Sequence, residues 1–151
     1  MNRLLKSPTV NVVFISFFTA FYALVFFIAS KSVSFENSLY DKKADSFWRA
    51  WCGFLATGNQ RYIACVLIAV TVLVVILLIT RRRTYDEYHT SILANCLLIA
   101  AILVLVAIAV FYLLILNDPS GITEKFTLFI VIHWTTVVFA NLVFVLLCRR
   151  K

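Results

Sequence analysis

The side chains in this sequence that could do chemistry are few. Its four long apolar runs contain no Asp, Glu, Lys or Arg and one histidine, His133. His133, Thr136, Ala140 and Asn141 fall at i, i+3, i+7 and i+8, so a helix places them on one face, with Trp134 pointing elsewhere. Imidazole titrates near neutral pH, so such a stripe could hold a proton or a polar ligand. The same residues also suit a helix–helix seam. Small and hydroxylated side chains let backbones approach, and His or Asn can hydrogen-bond across. A single histidine with no charged partner makes a poor relay, which favours the seam.

Three asparagines form a second set. Asn11, Asn95 and Asn141 lie in three different runs, each toward the end marked by basic residues. At a shared depth their amides would make either a polar vestibule or interhelical hydrogen bonds worth about 0.6–2 kcal/mol each. The hydrogen-bond reading is the expected one.

Metal and cofactor chemistry find little footing. In the string Tyr85-Asp86-Glu87-Tyr88-His89, Glu87 and His89 stand two apart and diverge on a helix. A haem held by His89 and His133 fails on distance. In a hairpin turning near Ser120, the two differ in depth by about 18 residues, or roughly 27 Å at about 1.5 Å per residue. Cys52, Cys65, Cys96 and Cys148 have no C-x-x-C spacing. No metal and no cofactor is expected.

The elements that must position these residues follow from composition. The 151-residue chain is 63% hydrophobic and 14% charged, against about 45–50% and about 25% in soluble domains. Lipid is the implied solvent. Four runs, 10–29, 62–79, 92–116 and 126–147, are each long enough to cross a bilayer as a helix. They fill most of a single membrane domain, 1–151. Ser7-Pro8 supplies a cap and a first-turn proline for the first run. At about 20 residues that run exceeds a signal-peptide core of about 7–15, so it is read as a span. Thr84 and Glu87 fit a capping box that starts the third helix near Tyr85.

The net charge of +7 comes from bases gathered at the run ends. With both termini cytoplasmic, the inner side holds Arg3, Lys6, Arg81, Arg82, Arg83, Arg149, Arg150 and Lys151. The outer side holds Lys31, Lys42, Lys43, Arg49, Arg61 and Lys125. The tight inner clusters favour this orientation and make Arg81, Arg82, Arg83, Arg149, Arg150 and Lys151 contacts for anionic lipid headgroups. No basic and aromatic surface outside the runs is large enough to follow a nucleic acid, which is excluded as a partner.

One connection is long. Within it Phe47, Trp48, Trp51, Phe54 and Leu55 repeat with helical spacing over 45–57, with Asp45 as a cap and Gly58-Asn59 as a stop. Such a helix either lies in the membrane interface, anchored by Phe47, Trp48, Trp51 and Phe54, or packs over the outer mouth of the bundle.

The expected fold is therefore an all-α integral membrane bundle of four transmembrane helices, with an amphipathic interfacial helix in the first extracytoplasmic loop. The foremost functional reading is a non-catalytic membrane component: a pore-forming or transport-related subunit, or an accessory subunit in a homo-oligomer or hetero-complex. A membrane enzyme using His133 on a lipid or hydrophobic substrate would need a partner acid or metal that the runs do not supply. A regulator that senses through the outer amphipathic helix is the third reading.

Overall fold

The computed structural model describes residues 7–32, 46–80 and 85–149, and these are helix joined by short turns and extended residues. The helices are α1 (Pro8–Ser32), α2 (Ser46–Ala56), α3 (Gln60–Thr80), α4 (Glu87–Asn117) and α5 (Ile122–Arg149). Four of them, α1, α3, α4 and α5, are long and apolar enough to cross a membrane. Uninterrupted apolar sequence drives this. In lipid, backbone amides must be satisfied internally, and a helix does that within one segment.

α5 is the hub. It packs against α1, α3 and α4, while α1 also packs on α3. Two apolar clusters result. One joins Ile15, Val74, Leu78, Leu93, Phe144 and Val145. The other joins Phe26, Ala64, Leu67, Ile130, Trp134 and Val138. Trp134, Phe26 and Phe144 are all fully buried, so the middle of the bundle is filled by large rings. α4 stands apart. Of its 31 residues only Leu93 and Ala100 are buried.

The start of α4 differs from the capping-box expectation. The helix begins at Glu87 with Asp86 in the N-cap position, extended at φ −66° and ψ 166°, and no side chain caps it. Thr84 lies outside the described residues. Tyr85 explains the later start: its ring packs edge-on against Phe144 with centroids 5.3 Å apart. An extended Tyr85 can reach the core, and burial of a ring outweighs a local cap.

α2 ends where expected, at a turn through Gly58, whose φ of +78° suits glycine. The proposed cap Asp45 is outside the described residues, as are Arg81, Arg82, Arg83, Arg150 and Lys151. Arg149 is described only as the last residue of α5.

Candidate functional site

The two apolar clusters are separated by a polar level. On α1, Thr19 lies between Ile15 of one cluster and Phe26 of the other. On α3, Thr71 lies between Val74 and Leu67, and on α5, Asn141 lies between Phe144 and Val138. All three are buried: Thr19 at 8% exposure, Thr71 at 4% and Asn141 at 0%. The Thr71 hydroxyl donates to the Leu67 carbonyl at 2.8 Å. Its one hydrogen is then used, so the 3.1 Å contact between the two hydroxyls must have Thr19 as donor. An open, mainly apolar groove of about 350 Å³ runs over this pair between α1 and α3, lined by Ser16, Ala20, Ala23, Val72 and Ile76.

Asn141 is less well satisfied. Its amide nitrogen donates to the Val137 carbonyl of its own helix at 2.9 Å. Its oxygen is buried without a partner, and so is the amide nitrogen of Asn11 on α1. A donor and an acceptor thus stand unpaired on two helices that pack together. An unsatisfied buried group costs about 1–3 kcal/mol.

His133 sits beyond this level on α5, nearer the α2 side, and is 9% exposed. Its Nδ1 is 3.5 Å from the Tyr22 hydroxyl of α1, a long contact. The Phe129 ring lies 4.0 Å away centroid to centroid, and Phe111 of α4 stacks on Phe129 at 4.7 Å. The Val104 carbonyl is near the ring, yet Nε2 completes no hydrogen bond. Among the described residues no carboxylate or thiol joins these neighbours. The site is an aromatic clasp around an imidazole, without the acid or nucleophile that general-base chemistry requires.

The expected stripe is only partly assembled. Thr136 turns its hydroxyl back to the Ile132 carbonyl at 2.8 Å and offers nothing across the seam. Trp134, expected to point elsewhere, also packs on α1, with its ring 6.4 Å from Phe26. The asparagine set divides. Asn11 and Asn141 are buried, but Asn95 is exposed on the outer surface of α4. The α4 residues that meet the bundle, Leu93, Cys96, Leu97 and Ala100, lie about 100–160° around the helix from it at about 100° per residue. Among the described residues none hydrogen-bonds the Asn95 amide, which faces away from Asn11 and Asn141.

A second polar centre lies at the turn between α4 and α5. The Asp118 carboxylate accepts from the Ser120 backbone N–H at 3.0 Å and from its hydroxyl at 2.7 Å. Lys125, 5% exposed, pairs with Asp118 at 3.1 Å. These bonds from Ser120 and then Lys125 hold the Asp118 carboxyl at a pKa of about 2. The Lys125 ammonium also lies 5.8 Å from the centre of the Trp48 ring on α2, and the Trp51 indole donates to the Glu124 carbonyl at 3.0 Å. Glu124, in the first turn of α5, folds back over Gly121 and faces the positive end of the helix dipole. Cys52 and Leu55 are buried, while Phe47 stays 56% exposed and Phe54 is half-buried.

Reading the sequence alone misses Thr19, Thr71 and Tyr22. Hydroxyls near the middle of two neighbouring runs were the available signal for the threonines. The Lys125–Asp118 pair was also missed, although the turn residues around it were visible. No family model, curated protein or solved structure matches this chain, so its functional reading rests on its own residues.

Proposed function

We propose that the chain is a non-catalytic accessory subunit of a membrane assembly. The observation that carries this reading is α4: it is strongly apolar, and of its 31 residues two are buried and 19 are exposed. A surface of that extent meets either lipid or protein, and Asn95 within it favours protein, because hydrocarbon leaves an amide unpaired. A pore through one copy is disfavoured by Trp134, Phe26 and Phe144 filling the centre. An enzyme is disfavoured by the purely aromatic surroundings of His133.

In this reading both termini face the cytoplasm, the basic run ends meet anionic headgroups, and α2 lies at the outer interface with Phe47 turned to lipid. The burial of Lys125 against Asp118 supports the orientation, since it withdraws one base from the outer count. Labelling from outside checks it, with Ser46→Cys and Glu87→Cys at exposed positions. An impermeant reagent should reach the first and not the second. Cys52 and Cys148 are both buried and cannot serve as reporters.

Native mass measurement of the full chain in nanodiscs drawn from its own membrane tests the subunit reading. A mass above one chain is expected. A single chain with lipid alone would overturn it.

A further inference from the structure

We propose that two copies of this chain pair side by side through α4, with Asn95 of each copy hydrogen-bonded to Asn95 of the other. The proposal rests on the reading of α4 as a partner-facing helix and names the partner.

Asn95 begins an outward stripe that continues through Leu98, Ile102, Leu105, Ala109 and Tyr112, all exposed. The spacing is 3, 4, 3, 4, 3, the repeat that keeps one helix against a parallel neighbour along its length. The stripe lies opposite the α5 seam, so a partner can approach without displacing anything in the bundle. Ala109 leaves room for the backbones to close.

The polar residue selects the occupant. Asn95 is about two turns inside the start of α4 and hydrogen-bonds to no described residue of its own chain. A carboxamide has both a donor and an acceptor, so two of them facing each other satisfy one another fully. Copies of one chain insert with the same orientation, so their α4 helices run parallel. A two-fold axis along the membrane normal then brings each residue to the depth of its own counterpart. Asn95 meets Asn95, and the pair closes. A single asparagine at such a position also fixes register and a two-stranded state. A lipid tail offers the amide neither a donor nor an acceptor.

The test uses the full chain in liposomes, with Cys65→Ala removing the exposed native thiol. Leu98→Cys, Ile102→Cys and Leu105→Cys should form disulfide dimers readily, and the exposed flank positions Leu103→Cys and Val110→Cys should not. Separately, energy transfer between labelled copies should show Asn95→Leu dimerising about three- to thirtyfold more weakly, while Asn95→Gln retains pairing. All of these positions face away from the bundle, so a circular-dichroism melt of each variant should match the parent. Cross-linking that is uniform, or that peaks at 103 and 110, overturns the proposal. So does undiminished pairing of Asn95→Leu. If the native mass shows one copy joined to a different protein, the pairing falls and the subunit reading stands. A single chain alone removes both.

Discussion

The Trp51 indole N–H donates to the Glu124 backbone carbonyl at 3.0 Å, across 73 residues of sequence. This bond joins α2 to the first turn of α5, where the Glu124 carbonyl has a second lone pair to accept it. With Trp48 lying over Lys125, it gives α2 two contacts with the first turn of α5. Trp51→Phe keeps the ring and removes the donor. It should lower stability by about 0.5–1.5 kcal/mol in a detergent melt. Trp51→Ala, losing the ring as well, should cost more. A Trp51→Phe variant as stable as the parent would show that the hydrogen bond contributes nothing.

Acid should loosen the same corner. The Asp118 carboxyl has its pKa held at about 2, first by the Ser120 hydroxyl and backbone N–H and then by Lys125. Its unfolded value is near 3.8, so the folded state favours the ionised form. The stabilisation is complete above about pH 4 and is lost as pH falls toward 2. Melting temperature should therefore not respond to Asp118 between pH 5 and 8, and should drop below about pH 4. Asp118→Asn should remove that part of the acid response. Persistence of the full drop in the variant would assign it to other carboxylates.

The threonine pair should behave as a unit. Thr19→Val removes a donor, and Thr71→Val removes the acceptor that receives it. A double-mutant cycle should give a coupling of about 0.6–2 kcal/mol. Thr19→Val should be the milder of the two, because Thr71 keeps its bond to the Leu67 carbonyl, whereas Thr71→Val leaves the buried Thr19 hydroxyl without its acceptor. Additive losses would mean that the 3.1 Å contact is only proximity.

His133 is held by rings more than by hydrogen bonds, so shape should matter more than titration. His133→Gln should fold and associate like the parent, and His133→Leu should lose at most about 1–2 kcal/mol. The readout is a melt at pH 5 and pH 8, repeated in His89→Gln to separate the other histidine. A pH response present in the parent and abolished only in His133→Gln would restore a proton-handling role.

The four long helices were legible because bilayer-length apolar runs have few alternatives, and each observed helix contains its expected run. α2 was legible because its apolar spacing contrasts with polar neighbours such as Ser46 and Arg49. What remained hidden was rotation. α4 is apolar on every side, so periodicity could not tell that Leu93 faces in and Asn95 faces out. Packing of Ala100 and Phe111 against α5 decides that. Thr84 misled for a related reason: a local capping pattern says nothing of the core position that Tyr85 could reach. Thr136 shared a face with His133 as expected, but its hydroxyl had a nearer acceptor in its own helix.

The position of the hub in chain order governs how this molecule is made. α1 and α3 emerge first and have the Thr19–Thr71 bond to hold them together as soon as both are inserted. α4 emerges with almost no surface for either, because its packing stripe belongs to α5. During synthesis, which proceeds N-terminal segment first, α4 must therefore wait in the membrane as an unattached helix until α5 arrives. A nascent chain stopped before Ile122 would consist of a helix pair and a third long helix whose packing stripe has nothing to meet.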